Sequence, residues 1–165
     1  MMNQLLPAYS RRLGLFTALA SVALTMPSLA QSVWTGGADN AFSNGANWNP
    51  ALPGTGDAAL VDTGSPQVTD DITIGTLGVD GGNVTIGNTG ALTVTNGSTI
   101  ASGSIGINAG GVLNSDVDLD GGSLFIDGSL NGKLTLDNGN VTVNGTLGSA
   151  AVGTATSLSN NGTVG

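Results

Sequence analysis

The sequence predicts an all-β chain, a right-handed parallel β-helix (β-solenoid) behind an N-terminal cap, and three observations carry that prediction. Short runs alternate apolar with polar residues, Gly-rich pairs separate the runs, and the runs recur at a fixed period. Composition agrees with the pattern. With 28 Gly, no Glu and Lys133 as the single Lys, the chain lacks the straight-chain residues that build exposed helix faces.

Taken in order, residues 1–30 differ from the rest. Arg11 and Arg12 precede the apolar run Leu13–Met26, which leads to Pro27-Ser28-Leu29-Ala30. This is the pattern of a secretory signal peptide cleaved after Ala30, and the apolar run of about 14 residues is shorter than the roughly 20 of a spanning helix. Ser10-Arg11-Arg12 also resembles the start of a twin-arginine signal, although Gly14 stands where that pattern carries a large apolar residue. The chain is therefore expected to be exported through the inner membrane.

After Ala30 the chain carries 11 acids, every one an Asp, against Lys133, a formal charge of −10. Such a segment repels phosphate backbones and anionic lipid surfaces, so neither nucleic acid nor a membrane is an expected partner of the mature segment. The sequence has no Cys and no His, which removes thiol nucleophiles, the usual zinc sites and a Ser-His-Asp triad. The reading is a non-enzymatic chain without a cofactor.

Residues 31–67 are not repetitive and hold both Trp. A solenoid end exposes apolar surface and unpaired edge groups, so this segment is read as a cap in which Trp34, Phe42 and Trp48 plug the first rung. A sugar-stacking platform made by the two Trp is the sharper alternative.

From residue 68 onward, runs such as Ile72-Thr73-Ile74, Val84-Thr85-Ile86, Leu92-Thr93-Val94, Leu134-Thr135-Leu136 and Val141-Thr142-Val143 read as half-buried strands. Gly-Gly, Asn-Gly and Asp-Gly pairs between them tolerate the positive φ of sharp turns. Asp120–Leu130 superimposes on Asp137–Leu147 with a shift of 17 residues, and Asp80–Ile86 repeats the same opening 40 residues before Asp120, room for units of 17 and 23. Val84, Ile86, Leu124, Ile126, Val141 and Val143 are expected to form one interior column, with Leu130 and Leu147 on a second wall. Residues 68–165 would give roughly five rungs. The competing all-β arrangement is an antiparallel sandwich or small barrel joined by the same Asn-Gly and Asp-Gly turns.

Two sets of carboxylates are candidates for chemistry. Asp116, Asp118 and Asp120 alternate along one run and would share a face, where Asn114, Asn138 or carbonyls of neighbouring rungs could complete a weak Ca²⁺ site; the competing reading is a solvated acidic face. Asp116, Asp118 and Asp127 are the carboxylates a polysaccharide-cleaving β-helix would use as acid and base. Absence of Arg, His and Tyr after Ala30 leaves few groups to clamp an acidic sugar or stabilise developing charge.

The signal peptide, the segments Trp34-Thr35-Gly36-Gly37, Asn47-Trp48-Asn49-Pro50 and Pro53-Gly54-Thr55-Gly56-Asp57-Ala58, and the Gly/Asn/Thr-rich repeats together resemble the start of a Gram-negative autotransporter passenger. The opening is also similar to surface proteins with autotransporter-associated β-strand repeats. The resemblance implies a passenger β-helix displayed at or released from the cell surface. Its role would be structural or adhesive, toward a host or cell-surface macromolecule or glycan, with an outer-membrane β-barrel in a C-terminal part. No aromatic residue follows Phe125 and Ser157–Gly165 opens another turn, so the chain is expected to be a fragment of a longer protein, truncated before that barrel. The alternative is a secreted polysaccharide-binding or polysaccharide-cleaving β-helix.

Overall fold

A computed structural model describes residues 30–165, with the backbone alone over 151–156; residues 1–29, which hold nearly all of the expected signal peptide, lie outside the described residues. The chain is all-β, a solenoid of about six parallel coils without an α-helix among the described residues. After the cap strands β1 (Gln31–Trp34) and β2 (Trp48–Asn49), the first coil is β3 (Ala58–Val61), β4 (Gln67–Val68) and β5 (Asp71–Ile74). The second is β6 (Thr76–Ile86) and β7 (Ala91–Val94), the third β8 (Ser98–Ile107) and β9 (Val112–Asn114). The fourth takes β10 (Val117–Leu119), β11 (Ser123–Ile126) and the opening of β12 (Ser129–Val143), and the remaining coils wind through β12, β13 (Thr146–Asn160) and β14 (Thr163–Val164).

Three walls result, and every pairing between coils is parallel; only β1 and β2 pair antiparallel. A hairpin sandwich is thereby excluded. Alternation decides which side chains go in. On the second wall Val84, Ile105, Leu124 and Val141 stack in register, as do Ile86, Ile107, Ile126 and Val143, and all eight are buried. The expected column is present, with Ile105 and Ile107 supplying the coil that the repeat had left blank. Leu92, Leu113, Leu130 and Leu147 line the third wall, and Leu77, Val79, Ile100, Leu119 and Leu136 line the first.

Two expectations are corrected. The interval of 40 residues divides at Asn83, Ser104 and Ser123 into 21 and 19, not 17 and 23, because the corners before β7 and β9 are longer than that before β12, and the stretch from β7 to β8 is longer again than that from β9 to β10. The coils also begin before residue 68. Ala58–Val61 and Gln67–Val68 already pair in parallel with β6, so about six coils replace the expected five.

The cap closes two walls of the first coil. β1 lies parallel on β3, and the Phe42 N–H donates to the Gln67 carbonyl at 2.9 Å while the Gln67 N–H donates to Asn40 at 2.7 Å. Trp34, Phe42 and Trp48 are 3%, 0% and 4% exposed, which leaves no ring face open for a sugar. Trp34 meets Trp48 edge to face at 5.2 Å between centroids, Phe42 packs on Trp48 at 4.7 Å, and the Trp48 Nε1–H donates to the Phe42 carbonyl at 2.8 Å.

Asn47, fully buried, ties the cap together. Its Oδ1 accepts from the N–H groups of Ala38 and Asp39, and its Nδ2 donates to Asp39 Oδ1 at 2.7 Å and to the Ala41 carbonyl at 3.0 Å. Asn47→Ala strands these partners inside the cap, and a loss of about 2–3 kcal/mol is expected. Denaturant titration followed by Trp fluorescence measures it, since both Trp rings are in this cluster.

Candidate functional site

The outward positions of the three walls carry the polar groups. Because coils stack in register, like residues fall above one another and bond from coil to coil. Ser104 Oγ donates to Asn83 Oδ1 at 2.8 Å on the second wall; Asn131 Nδ2 donates to Asn114 Oδ1 at 3.0 Å and Asn114 Nδ2 to Thr93 Oγ1 at 3.2 Å on the third. At the corner between those walls, Asn144 Nδ2 donates to Asp127 Oδ1 at 2.7 Å and Asn161 Nδ2 to Asn144 Oδ1 at 3.3 Å. The bond to Asp127 is charge-assisted, the others join amide to amide or amide to hydroxyl, and each fixes a side chain against the rod.

The carboxylates do not gather as the alternation suggested. Asp118, Asp120 and Asp137 bring one carboxylate oxygen each to within 4.8 Å of one another, all exposed. Asp116 stays outside this group. It precedes β10 at a corner, and its Oδ1 accepts the Lys133 N–H at 2.8 Å. Asn114 and Asn138 do not complete the cluster either, since Asn114 belongs to the third-wall ladder and Asn138 Oδ1 accepts the Gly139 N–H at 2.9 Å. Three carboxylate oxygens fall short of the six to eight that Ca²⁺ takes. The arrangement is an acidic face on the first wall.

Asp127 is likewise separated from Asp116 and Asp118, held by Asn144 at the opposite end of the third wall. Asp116 and Asp118, with Thr76, Asn96, Thr99 and Lys133, line a shallow depression of about 460 Å³ across the middle coils. It offers hydroxyl, amide, carboxylate and ammonium groups to a polar ligand. Beneath it lies a pair that alternation alone did not reveal: Ser98 and Ser115 are buried, and their hydroxyls meet at 2.8 Å, with Ser115 Oγ also donating to the Asp116 carbonyl at 2.6 Å.

Two carboxyl groups depart from their ordinary acidity in opposite directions. Desolvation on the sheet face, then the like charges of Asp120 and Asp137, push the Asp118 carboxyl up, against the opposing pull of Lys133. Asp39 is held down by hydrogen bonds from Asn44 and Asn47 and from the Ala41 N–H. The linkage signs differ accordingly. Asp39 contributes stability that is complete above the ordinary carboxylate pKa and is lost as pH falls through its lowered value. For Asp118 the relative stabilisation is present below the ordinary value and lost as pH rises through its raised one. Asp39→Asn should therefore lower the melting temperature at neutral pH and converge on the parent in acid. Asp118→Asn should raise it slightly at neutral pH, the group being exposed, and converge likewise. Melting curves across the carboxylate range test both.

Comparison of the chain with protein-family models, with curated proteins and with solved structures finds no match.

Proposed function

We propose that the chain is the solenoid segment of an exported, non-enzymatic surface protein, passenger-like in the autotransporter manner, with a structural or adhesive role at the cell surface. The observation that carries this reading is the division of labour along each strand. Inward residues are spent on a continuous aliphatic core, while outward residues form Asn, Ser, Thr and Asp ladders fixed by bonds between coils. A stiff rod with a polar, acidic surface suits display in water and repeated weak contacts along its length. The pattern of residues 1–30 supports export, and the acidic charge opposes binding to nucleic acid.

Fractionation of cells producing the protein, with protease treatment of intact cells, tests the location. The expected result is protein in the medium or on the surface, accessible to protease and lacking residues 1–30. Intact precursor confined to the cytoplasm would end the proposal. The depression holding Asp116 and Asp118 favours a second reading, a secreted polysaccharide-binding or polysaccharide-cleaving protein. That reading predicts reducing ends released from acidic glycans and lost on Asp118→Asn.

A further inference from the structure

On the second wall one outward column runs Thr85, Gly106, Phe125, Thr142 and Ser159 in register. Phe125 is the one exposed aromatic ring among the described residues, 49% exposed, while Trp34, Phe42 and Trp48 are buried. Its partner one coil away is Gly106, and nothing in the backbone requires a glycine there. The φ of Gly106 is not positive, and a Cβ built on it would meet no atom within 4 Å. The corner glycines differ, since Gly103 and Gly122 have φ of 79° and 71° and press on the backbone of the preceding coil. The Phe125 ring does not fill the space at Gly106 either, for the same 4 Å is clear of its atoms. An open slot therefore lies beside an open ring.

We propose that Phe125 and the slot at Gly106 form a stacking subsite for a neutral saccharide ring. The apolar face of a sugar lies on an aromatic ring, and its hydroxyl edges require donors and acceptors at the rim. Ser104 and Asn108 flank Gly106, Ser123 and Asp127 flank Phe125, and Asn140 and Asn144 flank Thr142, each outward or at the adjoining corner. Rim groups thus recur about 4.8 Å apart between coils and stand about 6.6 Å along the strand to either side of the central column, the scale of a single sugar. Charge selects the class. The rim carries one carboxylate, Asp127, already accepting from Asn144, and no cation, while the −10 of the mature segment repels polyanions. Among glycans this excludes the polyanionic ones, and the hydroxyl- and amide-bearing rim fits a neutral one.

The subsite names a partner class for the adhesive role and rests on that reading only for its use at a surface. Saccharide binding by a protein found in the cytoplasm would remove the surface role and leave the subsite. The test is an NMR titration of the purified protein, labelled at phenylalanine, with chitohexaose, cellohexaose and maltohexaose. The Phe125 ring signals are expected to move with at least one of the three while those of Phe42 stay. Phe125→Ala and Gly106→Val, the second of which fills the slot and keeps the ring, should each weaken that binding about tenfold. Thr73→Ala, outward on the third wall and away from both the ring and the first-wall depression, should leave it unchanged. Phe125 signals that ignore all three sugars, or binding unaltered in folded Phe125→Ala, would overturn the proposal. So would signals that move with protein concentration alone, which would assign the patch to a second copy of the chain.

Discussion

Leu124→Ala is expected to destabilise the protein by about 2–5 kcal/mol, whereas Phe125→Ala, the next residue along, should change stability by about 0.5 kcal/mol. The contrast follows from alternation on β11. Leu124 points inward, fully buried between Ile105 of the coil above and Val141 of the coil below. Removing its side chain leaves a cavity that the walls cannot collapse to fill, because backbone ladders hold each coil to its neighbours. Phe125 points outward beside the empty slot of Gly106 and gives up little packing. Urea midpoints at constant slope separate the two. Equal losses would mean that β11 does not present alternate faces to core and water.

The second large effect belongs to the corner between the first and second walls. Gly122 has φ of 71° and lies against the backbone of Gly103, whose amide nitrogen would be 3.1 Å from a Cβ. Gly139, one coil further on, repeats the arrangement at φ 110° with the Gly122 carbonyl 2.7 Å from a built Cβ. Left-handed backbone is costly for any residue with a Cβ, and here the atoms in the way are backbone with no freedom to rotate aside. Gly122→Ala should cost about 2–4 kcal/mol. Gly106→Ala is the internal contrast, expected to stabilise by about 0.5 kcal/mol because an ordinary conformation and open space remove only unfolded-state freedom. Thermal melts of the two variants give the sign directly.

Much of this architecture was legible because stacking in register forces sequence repetition. The 17-residue shift that aligns Asp120 with Asp137 is the separation at which β11 pairs with β12, and Leu130 with Leu147. The third coil was hidden because its corner reads Ala101-Ser102-Gly103 in place of Asp-Gly-Gly, and Gly106 interrupts the β-branched run between Ile105 and Ile107. The first coil was hidden by Ala58-Ala59-Leu60-Val61, a run without alternation, set after a Pro- and Gly-rich stretch. Alternation within one strand also cannot say which residues a neighbouring coil supplies. It grouped Asp116 with Asp118 and Asp120, whereas the corner before Val117 turns Asp116 toward the Lys133 amide and stacking brings Asp137 in its place. The same 17-residue overlay held that signal. Ser98 and Ser115 left none, since the Ser98 hydroxyl is satisfied in the core by Ser115, and that of Ser115 by Ser98 and the Asp116 carbonyl.

The most direct test of the coil is a ruler along one wall. The chain has no natural Cys, so paired spin labels can be placed on the outward column of the second wall, from Thr85 to Phe125, to Thr142 and to Ser159. Parallel coils in register predict backbone separations of about 10, 14 and 19 Å, growing by about 5 Å for each coil crossed. Separations that do not rise in that order, or a Ser159 label returning close to Thr85 as in a hairpin meander, would contradict the solenoid.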